Sequence, residues 1–400
     1  MNKLETTIER AQQESFAHRV WRKTWKQVGA RLGFYWVGIL VLVGVFAPFL
    51  ANSMPLLMSK DGHISAPLLH YLQAEDYIVL AMFMTVLALT RVNWLLGKRI
   101  LVFIGVTLSS VILAITLVQP PQIQDYAAFR HDPAYTQVDW RIMPLIPYAP
   151  TDYLRDYPEH SLEAPLAAAP ERIHLMGTQE DGADVFSRMI HASRIALSIG
   201  LIATSIAMLI GVIVGGLMGY FGGWVDMLGM RLVEIFEAIP TLFLLLTFVA
   251  FYGRSLYMMM VIIGVTGWSG YARYIRAEFL RLRKQDYVQA AITSGLPTYA
   301  ILFKQMLPNG IAPLLVGASF GVASAILAEA TLSFLGLGLV GEPSWGQMLE
   351  QAVKASVFNW WMAVFPGGAI FLTVFAYNLI GEAFRDAIDP TLSRKAGVVG

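Results

Sequence analysis

The sequence predicts an all-α polytopic membrane protein of about eight transmembrane helices, with both termini inside. Three observations predict it. Hydrophobic residues make up 56% of the 400 and charged residues only 14%, against about 25% charged in a soluble domain. The charge deficit is concentrated in long uncharged runs rather than spread through the chain. The positive charges that remain fall in alternate loops between those runs.

A helix crosses a bilayer with about 20 mostly apolar residues. Eight stretches qualify by pattern: roughly 33–51, 75–92, 100–118, 194–220, 228–252, 255–272, 311–336 and 360–380. The second is the shortest, uncharged only from Tyr77 to Thr90. Trp94, Leu95 and Leu96 extend it if Arg91 snorkels; otherwise 75–118 reads as a hairpin lying in the interface. With the N-terminus inside and eight alternating spans, the inside loops hold 20 of the 29 Lys and Arg residues, among them Arg19, Arg22, Lys23, Lys26, Lys98, Arg99, Arg273, Arg276, Arg281, Arg283, Lys284, Arg394 and Lys395. The outside loops hold 9 Lys and Arg against 16 Asp and Glu. Positive charge marks the cytoplasmic side, so seven spans would break the agreement.

The organisation follows: an N-terminal segment over 1–32, three spans within 33–118, an extracytoplasmic segment over 119–190, five spans within 191–391, and a tail over 392–400. Segment 119–190 carries nine of the 19 prolines, from Pro120 to Pro170. That density excludes long regular helices. Tyr126, Tyr135, Trp140, Tyr148 and Tyr153 are expected to order it by packing on the membrane core, since disordered segments are poor in aromatics.

Several classes are excluded. There is no cysteine, so disulfides, thiolate metal sites and cysteine nucleophiles are impossible. About thirty mostly polar residues precede the first apolar run, and no cleavable signal peptide is expected. Gly97-Lys98 is the only Gly-Lys pair, and it lacks the rest of a phosphate-binding loop. No His-Glu-x-x-His pattern occurs, and the net charge of +1 gives no bulk attraction to nucleic acid. No catalytic or metal-binding residue is expected.

The longest inside loop, 273–310, holds Ala290-Ala291, then Gly295 and Pro297. Gly295 can end a helix at positive φ, and Pro297 can start the next. The pattern fits a short cytoplasmic helix with a small-residue face for docking; the plainer alternative is a basic loop at the headgroups. Gly211, Gly215 and Gly219 recur every four residues, as do Gly317, Gly321 and Ala325, forming ridges for close helix packing. Arg231 sits three residues before Glu234, near Glu237, and a local ion pair is expected. Glu329 lies deep in the seventh span. Buried acids in membranes face a cavity or a partner, so a pathway residue and a hydrogen-bonded packing residue both stand as readings.

Five motifs in order then make a resemblance specific. Gln289-Ala-Ala-Ile-Thr-Ser-Gly, with Leu307-Pro-Asn beyond it, resembles the EAA loop of binding-protein-dependent ABC importers. His174-Leu-Met-Gly-Thr with Asp181-Gly-Ala-Asp-Val-Phe-Ser-Arg, Gly219-Tyr-Phe-Gly-Gly-Trp-Val-Asp running to Glu237-Ala-Ile-Pro, Ala328-Glu-Ala-Thr-Leu-Ser-Phe-Leu-Gly with Pro343-Ser-Trp-Gly, and Asn378-Leu-Ile-Gly with Arg385-Asp-Ala-Ile-Asp-Pro are similar to the C-type permeases of dipeptide and oligopeptide importers. Trp21 to Asn52 resembles their first span. Gln289 stands where that family has Glu, Gln179 and Ala183 replace an acid and an arginine, and two spans are extra. Ala51-Asn-Ser-Met-Pro-Leu-Leu with Asp61-Gly-His is similar to a Yej-type permease linked to peptide antibiotics.

The resemblance implies a MetI-like, type I importer core. It implies a coupling helix over 287–303 with Tyr287, Gln289, Ala290, Ala291, Gly295, Leu296, Pro297, Leu307 and Pro308 at the ATPase contact; Glu329 and Ser333 are the candidates for the translocation path, with packing the alternative for Glu329. It implies a second permease as heterodimer partner, two ATP-binding subunits, an extracytoplasmic binding protein, and ATP with magnesium held in the partner subunits, this chain needing no cofactor. The setting is a bacterial inner membrane and the cargo a di- or oligopeptide. Nickel complexes or an antibiotic peptide are the rival cargoes, and a polytopic membrane enzyme or self-standing channel is the reading from another class.

Overall fold

The computed structural model describes residues 16–388 apart from 122, 123, 158, 170, 171 and 340; Arg394, Lys395 and the tail over 392–400 lie outside the described residues. Helices occupy all eight predicted stretches, but they are not eight straight spans. Five are long and apolar enough to cross: Val28–Val45, Gly97–Leu117, Val185–Phe221, Pro313–Leu337 and Trp360–Ile388.

The other three depart for visible reasons. The stretch 228–252 is a broken pair, Gly223–Ala238 and Thr241–Tyr252, bent by 83°. Pro240 lacks the N–H that would continue the helix and forces Ile239 into an extended conformation at ψ 123°. Leu256–Thr266 has only 11 residues, about half the length a 30 Å core requires. It stops at Gly267, and Trp268–Leu282 follows. Ala74–Arg91 carries Glu75 and Asp76 in its first turn and Arg91 in its last, so its uncharged middle is short.

The chain forms two compact units. The first comprises residues up to Gly38, Ser198–Gly338 and Gly368 onward. Its core centres on Tyr271, Ile275, Phe279 and Leu282 of the Trp268–Leu282 helix, packed with Val288, Ile301, Leu302 and Met306. In the same unit Gly33 lets the first span touch the last long helix. A Cβ there would sit 2.7 Å from the Ala376 carbonyl.

The second unit comprises Ile39–Leu197 and Leu339–Gly367. Ala74–Arg91 and Leu96–Leu117 form an antiparallel helical hairpin. A small sheet in the order β2-β1-β3 joins β1 (Leu57–Lys60), β2 (His63–Ser65) and β3 (Trp140–Ile142). Its hairpin turn has Asp61 at φ 52° and Gly62 at φ 77°, the double positive φ for which an Asp-Gly pair is suited. These strands are an addition to the all-α expectation.

The aromatics of 119–190 order that segment differently than expected. Tyr126 and Tyr135 pack against Met54, Leu68, Leu72 and Phe129, and Phe129 itself comes from a short helix, Tyr126–His131. Tyr148 is buried with Ala47, Ala51, Leu154 and Ile190. Trp140 stays exposed on β3 and Tyr153 is half-buried with Arg155 over its ring. The segment therefore packs mostly on the 47–72 stretch rather than wholly on spans.

Candidate functional site

The glycine ridges define how the first unit is built. Gly211, Gly215 and Gly219 face the Trp268–Leu282 helix of the same chain. A Cβ on Gly215 would fall 2.8 Å from the Ala272 Cα, and one on Gly219 would fall 2.7 Å from the Arg276 carbonyl. Only glycine permits backbones this close. The second ridge meets the same helix from another side. Tyr271 lays its ring against Gly317, its hydroxyl occupies the notch at Gly321, and that hydroxyl donates to the Gly317 carbonyl at 3.1 Å. Tyr271 thus locks three helices together. Motif reading passed over it, although Tyr271 lies directly before the basic loop and no composition signal marks it.

The Trp268–Leu282 helix feeds the 273–310 loop. The next helix, Asp286–Thr293, has eight residues. It ends in a double hydrogen-bonded cap: Gly295 N–H donates to Ile292 O at 3.0 Å and Leu296 N–H to Ala291 O at 3.2 Å. Gly295 sits at φ 73°, as that closure requires. Pro297 then caps a new helical turn beginning at Thr298, which continues as a π-helical stretch, Ile301–Met306. Residues 287–303 are therefore two helical pieces around a glycine turn, not one helix.

Ala290 and Ala291 do not share a face. Ala291 and Val288 are buried against Phe279, Leu282, Ile301 and Met306, while Tyr287, Gln289, Ala290 and Ile292 point outward. Successive helical residues are about 100° apart, so only one of the pair can face the core. Leu296, Tyr299 and Phe303 extend the exposed apolar face beyond the turn. Leu307 lines an apolar groove of about 250 Å³ with Val212, Phe279 and Phe303, and Pro308 is exposed one residue on.

Three polar contacts brace this loop. Arg276 holds Asp226 in a two-pronged pair, with Nη2 2.6 Å from Oδ2. This joins the Gly222–Gly223 turn to the Trp268–Leu282 helix. Arg283 donates to the Phe221 carbonyl at 3.3 Å. Gln289 Nε2 donates to the Arg283 carbonyl at 2.7 Å, closing the end of the preceding helix. A glutamate carboxylate could not make that donation, which gives the Gln289 departure a structural use.

Glu329 and Ser333 are brought together. Both are buried, and Ser333 Oγ donates to Glu329 Oε1 at 2.6 Å. Ser333 opens a second π-helical stretch, Ser333–Leu337, interrupted at Gly336 with φ 79°. Arg231 pairs with Glu234 at 2.5 Å, as the spacing predicts, and Glu237 pairs instead with Arg273. Among the described residues, no cluster of His, Cys, Asp or Glu could hold a metal ion.

The pre-span motif builds a buried clasp in the second unit. His174 Nδ1 lies 2.8 Å from Asp184 Oδ2, and both are buried. The Tyr148 ring lies tilted against the His174 ring with centroids 4.3 Å apart, and burial pushes its phenol up to about 12. Nearby in sequence, Arg130 bridges Asp152 and Asp156, with Nη2 2.6 Å from Asp156. Burial opposes ionisation of Asp156, but hydrogen bonds and charge from Arg130 outweigh it and hold the carboxyl down at about 2.

These features define a class: a multi-pass helical membrane protein with a short, braced helix that presents an exposed face. Comparison with known proteins agrees. Residues 207–394 match the family described as binding-protein-dependent transport system inner membrane component. The chain is 39% identical to the dipeptide transport system permease protein DppC of Bacillus subtilis (strain 168) over 56% of this chain and 71% of that protein. It is 38% identical to the oligopeptide transport system permease protein OppC of Haemophilus influenzae over 56% and 73%. It is also 38% identical to the di/tripeptide permease DppC of Pseudomonas aeruginosa over 63% and 83%. A solved inward-facing methionine ABC transporter aligns with 50% of this chain and 97% of its own at TM-score 0.42 and 18% identity, a likeness too weak to place any residue. The chain belongs to the inner-membrane components of binding-protein-dependent transport systems. Membership implies ATP-binding subunits and a binding protein as partners.

Proposed function

We propose that this chain is one of two permease subunits of an ATP-driven importer of di- or oligopeptides in a bacterial inner membrane. ATP with magnesium is hydrolysed in two partner subunits, and this chain carries no cofactor. The single observation that carries the reading is the Asp286–Thr293 helix, anchored by Val288 and Ala291 and presenting Tyr287, Gln289, Ala290 and Ile292 outward. The names of the relatives, which concern dipeptides, oligopeptides and di/tripeptides, support the cargo class.

The mechanism follows from rigid connections. A push on the Asp286–Thr293 helix reaches the Trp268–Leu282 helix through the buried Val288 and Ala291. Tyr271 passes the movement to the Ala312–Leu332 helix, which carries Glu329. Glu329 and Ser333 then sit on the path helix whose tilt would alternate access. Gly295, Leu296 and Pro297 shape the turn, and Leu307 and Pro308 begin the return toward the membrane.

The test is association. Ala290→Arg and Gly295→Asp should leave the chain in the membrane at normal abundance but abolish co-purification of the ATP-binding subunit, together with peptide uptake. Normal association and uptake in both variants would contradict the assignment of this loop.

A further inference from the structure

The Phe16–Lys26 helix is unused by the proposed function. It has 11 residues and precedes the first span with a break at Gln27. At about 100° per residue, its side chains divide into three sectors. Val20 and Thr24 form the buried side. Trp21 and Trp25 lie together on a second side, stacked at 5.5 Å and both against Phe34 of the first span. They remain 48% and 39% exposed. Arg19, Arg22, Lys23 and Lys26 share the third side within an arc of about 100°, all four exposed. Residues 16–26 contain no acid.

This is the division an interfacial helix needs. Tryptophan settles at headgroup level, with its ring toward the acyl chains and its N–H toward water. Cations one sector away then reach the phosphate layer. The contact between Trp21, Trp25 and Phe34 fixes the helix at the end of the first span, so the cations are held at one depth rather than sampling the solvent. We propose that the Phe16–Lys26 helix lies along the cytoplasmic membrane surface and binds anionic phospholipid headgroups. The proposal rests on the N-terminus being inside. Four clustered cations with no acid among them argue for that occupant over an acidic protein surface because the tryptophan sector beside them is matched to lipid.

The test uses the full-length chain in nanodiscs that mix phosphatidylglycerol and phosphatidylcholine, with bromine on one lipid or the other. Each cation near an anionic surface favours association by about fivefold. The quenching that W21F/W25F removes, which isolates two of the ten tryptophans, should therefore be at least about twofold larger with the brominated anionic lipid at equal mole fraction. The excess should vanish in R19Q/R22Q/K23Q/K26Q, fall in high salt, and survive in the charge-preserving R19K/R22K. Equal quenching by both lipids overturns the proposal, as does an excess that survives removal of the four charges. Loss of the ATP-binding subunit from R19Q/R22Q/K23Q/K26Q with unchanged lipid preference also overturns it, and would make the helix a protein-docking element. Labelling single cysteines at positions 131 and 284 from one side settles the orientation separately.

Discussion

Tyr271 shows what one side chain does when two glycine ridges converge on it. Its hydroxyl makes a single bond to Gly317, so Tyr271→Phe should lower stability by only about 0.5–1.5 kcal/mol. Gly215→Val is harsher, because any Cβ there meets the Ala272 backbone. A cost of about 1–3 kcal/mol is expected from overpacking, read as a lower melting temperature of the purified chain in detergent. At Asp156 the prediction concerns pH. Its folded carboxyl, at about 2, lies below its ordinary 3.8. The stabilisation is therefore fully present above pH 4 and is lost as pH falls from about 4 toward 2. It amounts to roughly 2 kcal/mol. Thermal melts across that window should show the loss in the native chain, and Asp156→Asn should flatten it.

The 273–310 loop shows the same division at the scale of elements. The pattern Ala290-Ala291-x-x-x-Gly295-x-Pro297 correctly announces a short helix, a glycine exit and a restart, because cap chemistry is local. It could not announce which alanine faces inward. That depends on Phe279, Ile301 and Met306 arriving from neighbouring elements. Ala291→Arg should therefore unfold the cytoplasmic end, lowering the melting temperature and membrane abundance. Ala290→Arg should leave both unchanged. Equal stability in the two variants would mean the faces are misassigned. The span 228–252 was legible as apolar but not as bent, even though Ile239-Pro240 holds the reason; hydrophobicity alone does not report a break in the hydrogen-bond ladder. The partner of each glycine ridge was likewise not legible, since spacing defines a ridge but not its groove. The β1–β2 hairpin is not legible in the sequence despite its Asp61-Gly62 turn, because its strands are only four and three residues long and mixed in polarity. The pairing of Glu329 with Ser333 follows from their four-residue spacing on one helix. Glu329→Gln should alter uptake with normal abundance if the carboxylate serves the path. Unchanged uptake at every pH tested would leave it a packing group.

For the whole molecule, the count of spans and the sidedness are linked. Five helices are long and apolar enough to cross, six if the bent pair counts as one span, so the eight-span expectation needs Ala74–Arg91 and Leu256–Thr266 to cross as well; it would put the arginine-rich 273–310 loop inside and the acidic 119–190 segment outside. With no native cysteine, single substitutions report this cleanly. His131→Cys should react with an impermeant reagent applied outside and Lys284→Cys should not; labelling of Lys284→Cys alone, or of both, would contradict the arrangement. The central claim is that this chain moves peptide only as part of an ATP-driven assembly. The most direct measurement is uptake of a labelled dipeptide or oligopeptide into proteoliposomes that hold the complete complex and its binding protein. Uptake should require ATP, the binding protein and an intact Gly295 turn, and the chain alone should neither hydrolyse ATP nor pass peptide. ATP turnover by the isolated chain, or peptide flux without the ATP-binding subunits, would contradict it.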